Sequence, residues 1–269
     1  MDLGLEGKRA LVTGASSGIG EAVAELLAKE GVSVVVNGRD DNRTRAVAGK
    51  IMADGGWAAA AVGDLQSDEG CAAVAKIASD AFGGIDILVN NAGGTVRGDN
   101  ASWDDLDTQD YINSFKINFL APTWLARHFA PAMIERKWGR IINMSSVAGR
   151  QRVGTMHDYG AAKAALENWS LNLSSNLSPH GVTVNSISPG MILTEGAQTF
   201  LETLRDQLGW PNEQAEMERR WATDLFPQTI PRLGQAREIA AAVALMASPL
   251  SDYTTGAVWR IDGGISRAL

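Results

Sequence analysis

Short apolar runs recur along this 269-residue chain, separated by stretches with helical periodicity. The runs are Ala10–Val12, Val32–Val36, Ala58–Val62, Ile85–Val89, Ile141–Met144, Val182–Ile187 and Ala257–Ile261. Most are rich in β-branched residues and do not alternate with polar ones. A strand with one wet face alternates, whereas a strand of a parallel sheet covered on both faces does not need to. Repeated strand–helix units imply right-handed crossovers, so the pattern predicts an α/β fold with a doubly wound, mainly parallel sheet and helices on both faces. A chain of this length buries roughly three quarters of its unfolded surface, enough for residues 1–269 to form one domain.

Helix signals fall between the runs. Ile19, Val23, Leu26 and Leu27 sit at i, i+4, i+7 and i+8, and Gly31 is placed to end that helix. Ser102-x-x-Asp105 reads as a capping signal before a long helix from about Thr108 to Lys137. An Ala-rich stretch, His157–Asn176, ends at Pro179. From Gly190 to Gln235 the rhythm breaks: Pro211, Pro227, Pro231, Trp210 and Trp221 interrupt it, as in a substrate-binding loop or lid.

Hydrophobic residues at 45% and charged residues at 20% are globular values that exclude a disordered chain. A net charge of −7 argues against a sequence-independent nucleic-acid partner, which needs a basic face. The single cysteine, Cys71, excludes an intramolecular disulfide and is expected half-buried at the start of a helix. His128, His157 and His180 are scattered, and no catalytic metal site is expected. Met1–Arg9 has no apolar signal region, and the longest apolar run, Ile239–Ala247, is far short of the roughly 20 residues a membrane span needs. The chain therefore reads as soluble and cytoplasmic, with no membrane partner.

Thr13-Gly14-Ala15-Ser16-Ser17-Gly18-Ile19-Gly20 follows the first run and opens the first helix. Glycines let the backbone turn tightly and approach a pyrophosphate, and the helix N-terminus offers N–H groups to the anion. The spacing is G-x-x-x-G-x-G, not G-x-G-x-x-G. With Asp64-Leu65, Asn90-Asn91-Ala92-Gly93, Asn118, Ser145-Ser146, Tyr159-x-x-x-Lys163, Ser188-Pro189-Gly190 and Asp262-Gly263-Gly264 in this order, the chain resembles the short-chain dehydrogenase/reductase family over essentially its whole length. The resemblance implies a seven-stranded Rossmann sheet and a nicotinamide cofactor. It assigns cofactor contacts to Gly14, Ser16, Ser17, Gly18, Ile19 and Gly20 in the turn, and to Asp64 and Leu65 beside the adenine. It adds Asn91, Ala92 and Gly93 after the fourth strand, Tyr159 and Lys163, and Pro189, Gly190, Ile192 and Thr194 after the sixth.

Tyr159 and Lys163 are four apart on a helix and share a face. A tyrosine hydroxyl has a pKa near 10, and a close cation favours its phenolate. Tyr159 can then protonate a carbonyl oxygen as hydride reaches the carbon, or do the reverse on an alcohol. A serine at the end of the fifth strand can donate to the same oxygen. Adjacent strand residues face opposite ways, so one of Ser145 and Ser146 is expected there; the family's spacing, about 13 residues before the tyrosine, favours Ser146. By the same resemblance Asn118 holds a water linking Lys163 to solvent, and Lys163 bonds the nicotinamide ribose.

An acidic residue at the end of the second strand accepts from a ribose 2′-hydroxyl, while an arginine pairs with a 2′-phosphate. Here Gly38 stands where NAD-using relatives carry Asp, and Arg39 follows, so NADP(H) is expected over NAD(H). Ser17 occupies a position that is often basic, and Asp40 and Asp41 add nearby negative charge.

The substrate is less constrained. The resemblance puts Gly94–Val96, Val147–Thr155, His157 and Met191–Leu193 around the pocket, and Met191, Trp210, Met217, Trp221 and Phe226 can make it apolar. His157 is either a substrate-side group or a helix-start residue. Phe200, Leu201, Leu204 and Leu208 form a helical stripe that suits packing more than substrate contact. Seven acidic and four basic residues between Gly190 and Arg232 disfavour an acidic carrier protein, although Arg127, Arg136, Lys137 and Arg140 lie elsewhere. A small-molecule ketone or secondary alcohol is ranked above a 3-oxoacyl carrier-protein thioester, and both above a nonenzymatic NADP(H) sensor, which would be expected to lack Tyr159 or Lys163. Relatives are mostly tetramers, so a homotetramer is expected, with a dimer as the alternative; Ala161, Ala162, Ala164 and Ala165 suit close packing on a partner helix or on the sheet.

Overall fold

Alternate residues of the first strand enter different cores: Ala10 and Val12 pack into one, Leu11 into the other. The computed structural model describes residues 1–98, 101–152 and 155–266. In chain order the elements are β1 (Arg9–Val12), α1 (Gly18–Lys29), β2 (Ser33–Gly38), α2 (Asp41–Ala53), β3 (Trp57–Val62) and α3 (Asp68–Phe82). There follow β4 (Ile87–Asn90), α4 (Thr108–Phe115), α5 (Ala121–Glu135), β5 (Gly139–Met144), α6 (His157–Leu177) and β6 (Val182–Pro189). The last are β7 (Ile192–Leu193), α7 (Glu195–Leu208), α8 (Gln214–Arg220), β8 (Gly234–Gln235), α9 (Ala236–Ala247) and β9 (Val258–Ile261).

Seven strands form one sheet in the order β3-β2-β1-β4-β5-β6-β9. Every neighbouring pair is parallel, so the sheet is parallel throughout rather than mainly so. Its two faces explain the unbroken apolar runs. Val34, Val36, Ile87, Val89 and Ile142 join Ala10 and Val12 under α1 and α9, while Val35, Leu88, Ile141 and Val184 join Leu11 under α3 and α5. The chain reverses its winding between β1 and β4, and a crevice opens there beyond the carboxyl ends of the strands.

Several local expectations are corrected. The Ser102 amide does bond Asp105 Oδ2, but this closes a turn. The helix begins at Thr108, behind a capping box in which Asp107 and Asp110 bond each other's backbone N–H. The expected long helix runs without a break from Thr108 to Glu135, but not as one α-helix: a π turn at Lys116–Leu120 joins α4 to α5, with Asn118 buried at its centre. Cys71 is wholly buried, and desolvation pushes its thiol up to about 12. The segment 190–235 is largely helical. Its prolines fall outside α7 and α8, and Leu201, Trp221, Ala222 and Leu233 build a third apolar cluster with Ile265.

Candidate active site

Thr13 joins the ends of β1 and β4. Its hydroxyl accepts from the backbone N–H groups of Asn91 (2.9 Å) and Ala92 (3.0 Å). In return Asn91 Nδ2 donates to the carbonyls of Thr13 (2.9 Å) and Gly14 (3.1 Å). The glycine turn is thereby pressed on the β4 loop: a Cβ on Gly14, at φ 60°, would lie 2.8 Å from Ala92 Cα. A Cβ on Gly20 would lie 2.4 Å from Gly14 O, so Gly20 packs the first helical turn against the loop and does not line the crevice.

The crevice has two connected parts. One, of about 480 Å³, is lined by Gly14, Ser16, Ser17, Gly38, Arg39, Asp64, Leu65, Ala92 and Gly93, together with Gly94, Thr95 and Val96. The other, of about 850 Å³, shares Ser17, Gly93 and Gly94 and is lined by Gly18, Ile19, Asn91, Ser146, Tyr159, Lys163, Pro189, Gly190, Ile192 and Thr194. The α1 N-terminus opens on it, with Ser17 as a cap residue whose side chain makes no capping bond. Together the turn, Arg39 and the β4 loop suit an extended dinucleotide: glycines where backbone must approach, N–H groups where phosphate must sit. Arg43, which the sequence did not single out, lines the same crevice and pairs at 2.6 Å with Glu195, 152 positions away, so local pattern carried no signal for it.

Tyr159 and Lys163 stand on α6, one turn apart. Lys163 Nζ lies 5.4 Å from the Tyr159 ring centroid. It donates to Met144 O at 2.7 Å, and burial lowers its pKa to about 7. Ser145 and Ser146 both border the crevice, just beyond the end of β5, but their hydroxyls make different bonds. The Ser145 hydroxyl is buried and donates to Glu167 Oε1 at 2.6 Å. The Ser146 side chain lines the crevice near Tyr159 and accepts from Ala148 N at 3.2 Å. Asn118 lines neither part. Its Oδ1 accepts from Gly94 N (3.0 Å) and its Nδ2 donates to Gly94 O (2.9 Å) and Ser114 O (3.0 Å), which pins the β4 loop to the π turn. A Cβ on Gly93 would lie 2.5 Å from Asn118 Oδ1 and 3.2 Å from Lys163 Nζ, so the three groups converge.

Beyond Ser146 the crevice opens into a cavity of about 330 Å³. Ser146, Gly190 and Met191 border both spaces; Val147, Met156, Phe200, Leu204, Trp221 and Phe226 line the new one. Trp221 stacks on Phe226 with centroids 5.1 Å apart. Three expected substrate residues are absent from its wall. His157 is exposed as the first residue of α6, and Met156 lines the cavity in its place. Trp210 and Met217 do not line it either; Trp210 packs on the third apolar cluster. Phe200 and Leu204 show that half of the expected packing stripe faces the cavity, while Leu208 is exposed. Val153 and Gly154, within the expected lining segment, lie outside the described residues.

Two of the basic residues outside the segment 190–232 are engaged within the fold. Arg136 is bonded to Ile85 O and paired with Asp86, and Arg140 is buried and paired with Asp252. Ala162 is buried, whereas Ala161 and Ala164 are exposed on α6. Among the described residues no three His, Cys, Asp or Glu side chains converge as metal ligands, and no helix is long and apolar enough to cross a membrane.

A family model described as short chain dehydrogenase matches residues 8–205. An uncharacterised oxidoreductase of Bacillus subtilis is 35% identical over 275 residues, covering 100% of both chains. A 3-oxoacyl-[acyl-carrier-protein] reductase of Vibrio cholerae is 36% identical over 98% of this chain and 99% of its own. Among solved structures, the L-sorbose reductase of Gluconobacter frateurii, complexed with NADPH and L-sorbose, is 30% identical and covers 100% of both chains with a TM-score of 0.91.

Proposed function

The chain belongs to the short-chain dehydrogenase/reductase family, and from that premise we propose that this oxidoreductase interconverts ketones and secondary alcohols with NADP(H). The observation that carries this reading is a junction: Ser146 borders both the dinucleotide crevice and the apolar cavity, and Tyr159 and the buried Lys163 line the same crevice. A reduced nicotinamide bound in the crevice supplies hydride to a carbonyl carbon. The Ser146 hydroxyl donates a hydrogen bond to the carbonyl oxygen, and Tyr159 gives that oxygen its proton. Lys163 favours the phenolate left behind, and its pKa of about 7 suits it to take and return protons at neutral pH. Asn118 holds the Gly94 backbone in the β4 loop, and by the family resemblance it also holds a water that links Lys163 to solvent.

NADP(H) over NAD(H) is supported by Arg39 on the crevice wall and by the absence of a carboxylate at Gly38. The L-sorbose reductase binds NADPH in the same fold. The apolar cavity has no charged side chain among its described lining residues, which favours an uncharged ketone with an apolar or aromatic body. The segment 190–235 acts as the lid over it. Assembly as a homotetramer fits the exposed Ala161, Ala164 and Leu171 of α6.

A second reading, reduction of a 3-oxoacyl carrier thioester, is favoured by the Vibrio cholerae relative. Loss of NADPH absorbance against free ketones and 3-oxoacyl thioesters, repeated with NADH, separates the two. Turnover of apolar ketones supports the first reading, and turnover of thioesters alone supports the second. Tyr159→Phe should lose about 10²–10⁴-fold in kcat and still bind NADPH; an unchanged kcat would overturn the role of Tyr159.

A further inference from the structure

Ser146 is delivered on a single 3₁₀ turn, Val147–Gly149, between β5 and α6. The turn's own bonds, Gly149 N to Ser146 O at 3.0 Å and Arg150 N to Val147 O at 3.1 Å, fix its shape but not its place against α6. Its place is fixed from α6. Glu167 lies one turn beyond Lys163 and two beyond Tyr159, on the same face. Its Oε1 accepts from the Ser145 hydroxyl at 2.6 Å, and its Oε2 accepts from Arg150 Nε. Ser145 immediately precedes Ser146, and Arg150 follows the turn, so one carboxylate grips both ends of the segment. The carboxylate is buried, its side chain 8% exposed.

The segment has no slack between these grips. A Cβ on Gly149 would lie 3.0 Å from Ala164 N, and one on Gly160 would lie 2.7 Å from Ala148 O. If the grip loosens, the turn can move only away from α6, and Ser146 moves away from Tyr159. We propose that Glu167 is a positioning residue that sets the Ser146–Tyr159 geometry by holding Ser145 and Arg150 on one buried carboxylate. The proposal rests on the reading that Ser146 and Tyr159 act on a carbonyl.

The chemistry requires a carboxylate. A glutamine of the same size can still accept from Ser145, but if it does, its amide N–H groups meet the donor-only guanidinium of Arg150. Glu167→Gln should therefore lower kcat, counted per NADPH-binding site, by about 10- to 100-fold while KM and NADPH affinity stay within about threefold. Ser145→Ala should fall in the same direction, the double variant should fall no further than the larger single loss, and Arg150→Lys should retain part of the rate. Hydrogen exchange of the amides from Ser145 to Gln151 tests the grip without turnover: faster exchange in Glu167→Gln supports it, and unchanged exchange overturns it. A kcat for Glu167→Gln within about twofold of wild type would overturn it as well, as would a loss of rate that only tracks a loss of NADPH-binding sites. If the wild type turns over no ketone with NADPH, the functional reading falls, and the exchange measurement alone decides the role of Glu167.

Discussion

Lys163 Nζ donates to the carbonyl oxygen of Met144 at 2.7 Å, so the buried ammonium rests on the strand end that carries Ser146. That partner is a neutral carbonyl. Burial therefore dominates and brings the ammonium from its ordinary 10.5 down to about 7. Between these values the unfolded chain holds more protons than the folded one, so the contribution of this group to stability rises with pH from about 7 to 10.5. Below 7 it opposes folding in full, by an amount on the order of a few kcal/mol.

Lys163→Met should remove that dependence. In cofactor-free protein the variant should be most favoured over wild type near pH 6, with the advantage shrinking steadily toward pH 10. Denaturant midpoints measured across this range decide it. A constant difference between the two proteins would mean that Lys163 is not buried as an uncompensated ammonium.

Arg39 and Gly38 make the cofactor preference testable from two sides. Arg39→Ala should weaken NADPH binding by roughly 10- to 100-fold, the loss of a charge-assisted pair with phosphate, and leave NADH almost unchanged. Gly38→Asp puts a carboxylate in the same corner, but its Cβ would lie 2.4 Å from Thr44 Oγ1 and 2.8 Å from Ser16 Cβ. That substitution should therefore weaken NADH as well, by displacing the turn. Equal losses of both cofactors in Arg39→Ala, measured by titration, would remove its phosphate role.

The parts of the molecule written in local pattern were legible. Unbroken β-branched runs mark strands covered on both faces, and the glycine turn and Tyr159–Lys163 are held within one turn or one helix face. Ser102-x-x-Asp105 misled because its spacing closes a free turn as readily as a helix start; Asp107 and Asp110 repeat it where the helix begins. Trp210 and Trp221 look alike in sequence, yet only tertiary packing decides that Trp221 lines the cavity. The partners of Arg136 and Arg140, Asp86 and Asp252, are remote in the chain, so no local pattern shows these pairings. Glu167 sits between Leu166 and Asn168 on a helix, and nothing local shows that it holds Ser145 and Arg150.

Asp86, at the foot of β4, should matter to stability and not to turnover. Arg9 clasps it with two bonds of 2.7 Å, and Arg136 Nε lies 3.2 Å away. Burial pushes its carboxyl up, but the hydrogen bond from Arg9 and the charges of Arg9 and Arg136 outweigh this and hold it below the ordinary range. A depressed carboxyl contributes stability above its unfolded pKa and loses it as pH falls through the folded one. Asp86→Asn should cost about 2–3 kcal/mol at pH 7, and the gap to wild type should narrow below about pH 4. Denaturant midpoints at several pH values check this. A kcat reduced in the folded variant would show that β4 transmits the change to the crevice.

Met156 combines strain with a place on the cavity wall. Its backbone is left-handed, φ 59° and ψ 40°, immediately before α6 and three residues from Tyr159. For a side chain with a Cβ this costs about 1–2 kcal/mol. Met156→Gly should relieve the strain while losing side-chain contacts, leaving stability within about 1 kcal/mol of wild type. Met156→Val puts branching where the backbone least tolerates it and should be the least stable of the three by about 1–2 kcal/mol. Because the methionine side chain fills part of the cavity, the glycine variant should also favour bulkier ketones over small ones in kcat/KM. A valine variant as stable as wild type would show that the backbone has left the left-handed region. The substrate preference of the glycine variant would then report on the cavity alone, because the turn into α6 would no longer depend on residue 156.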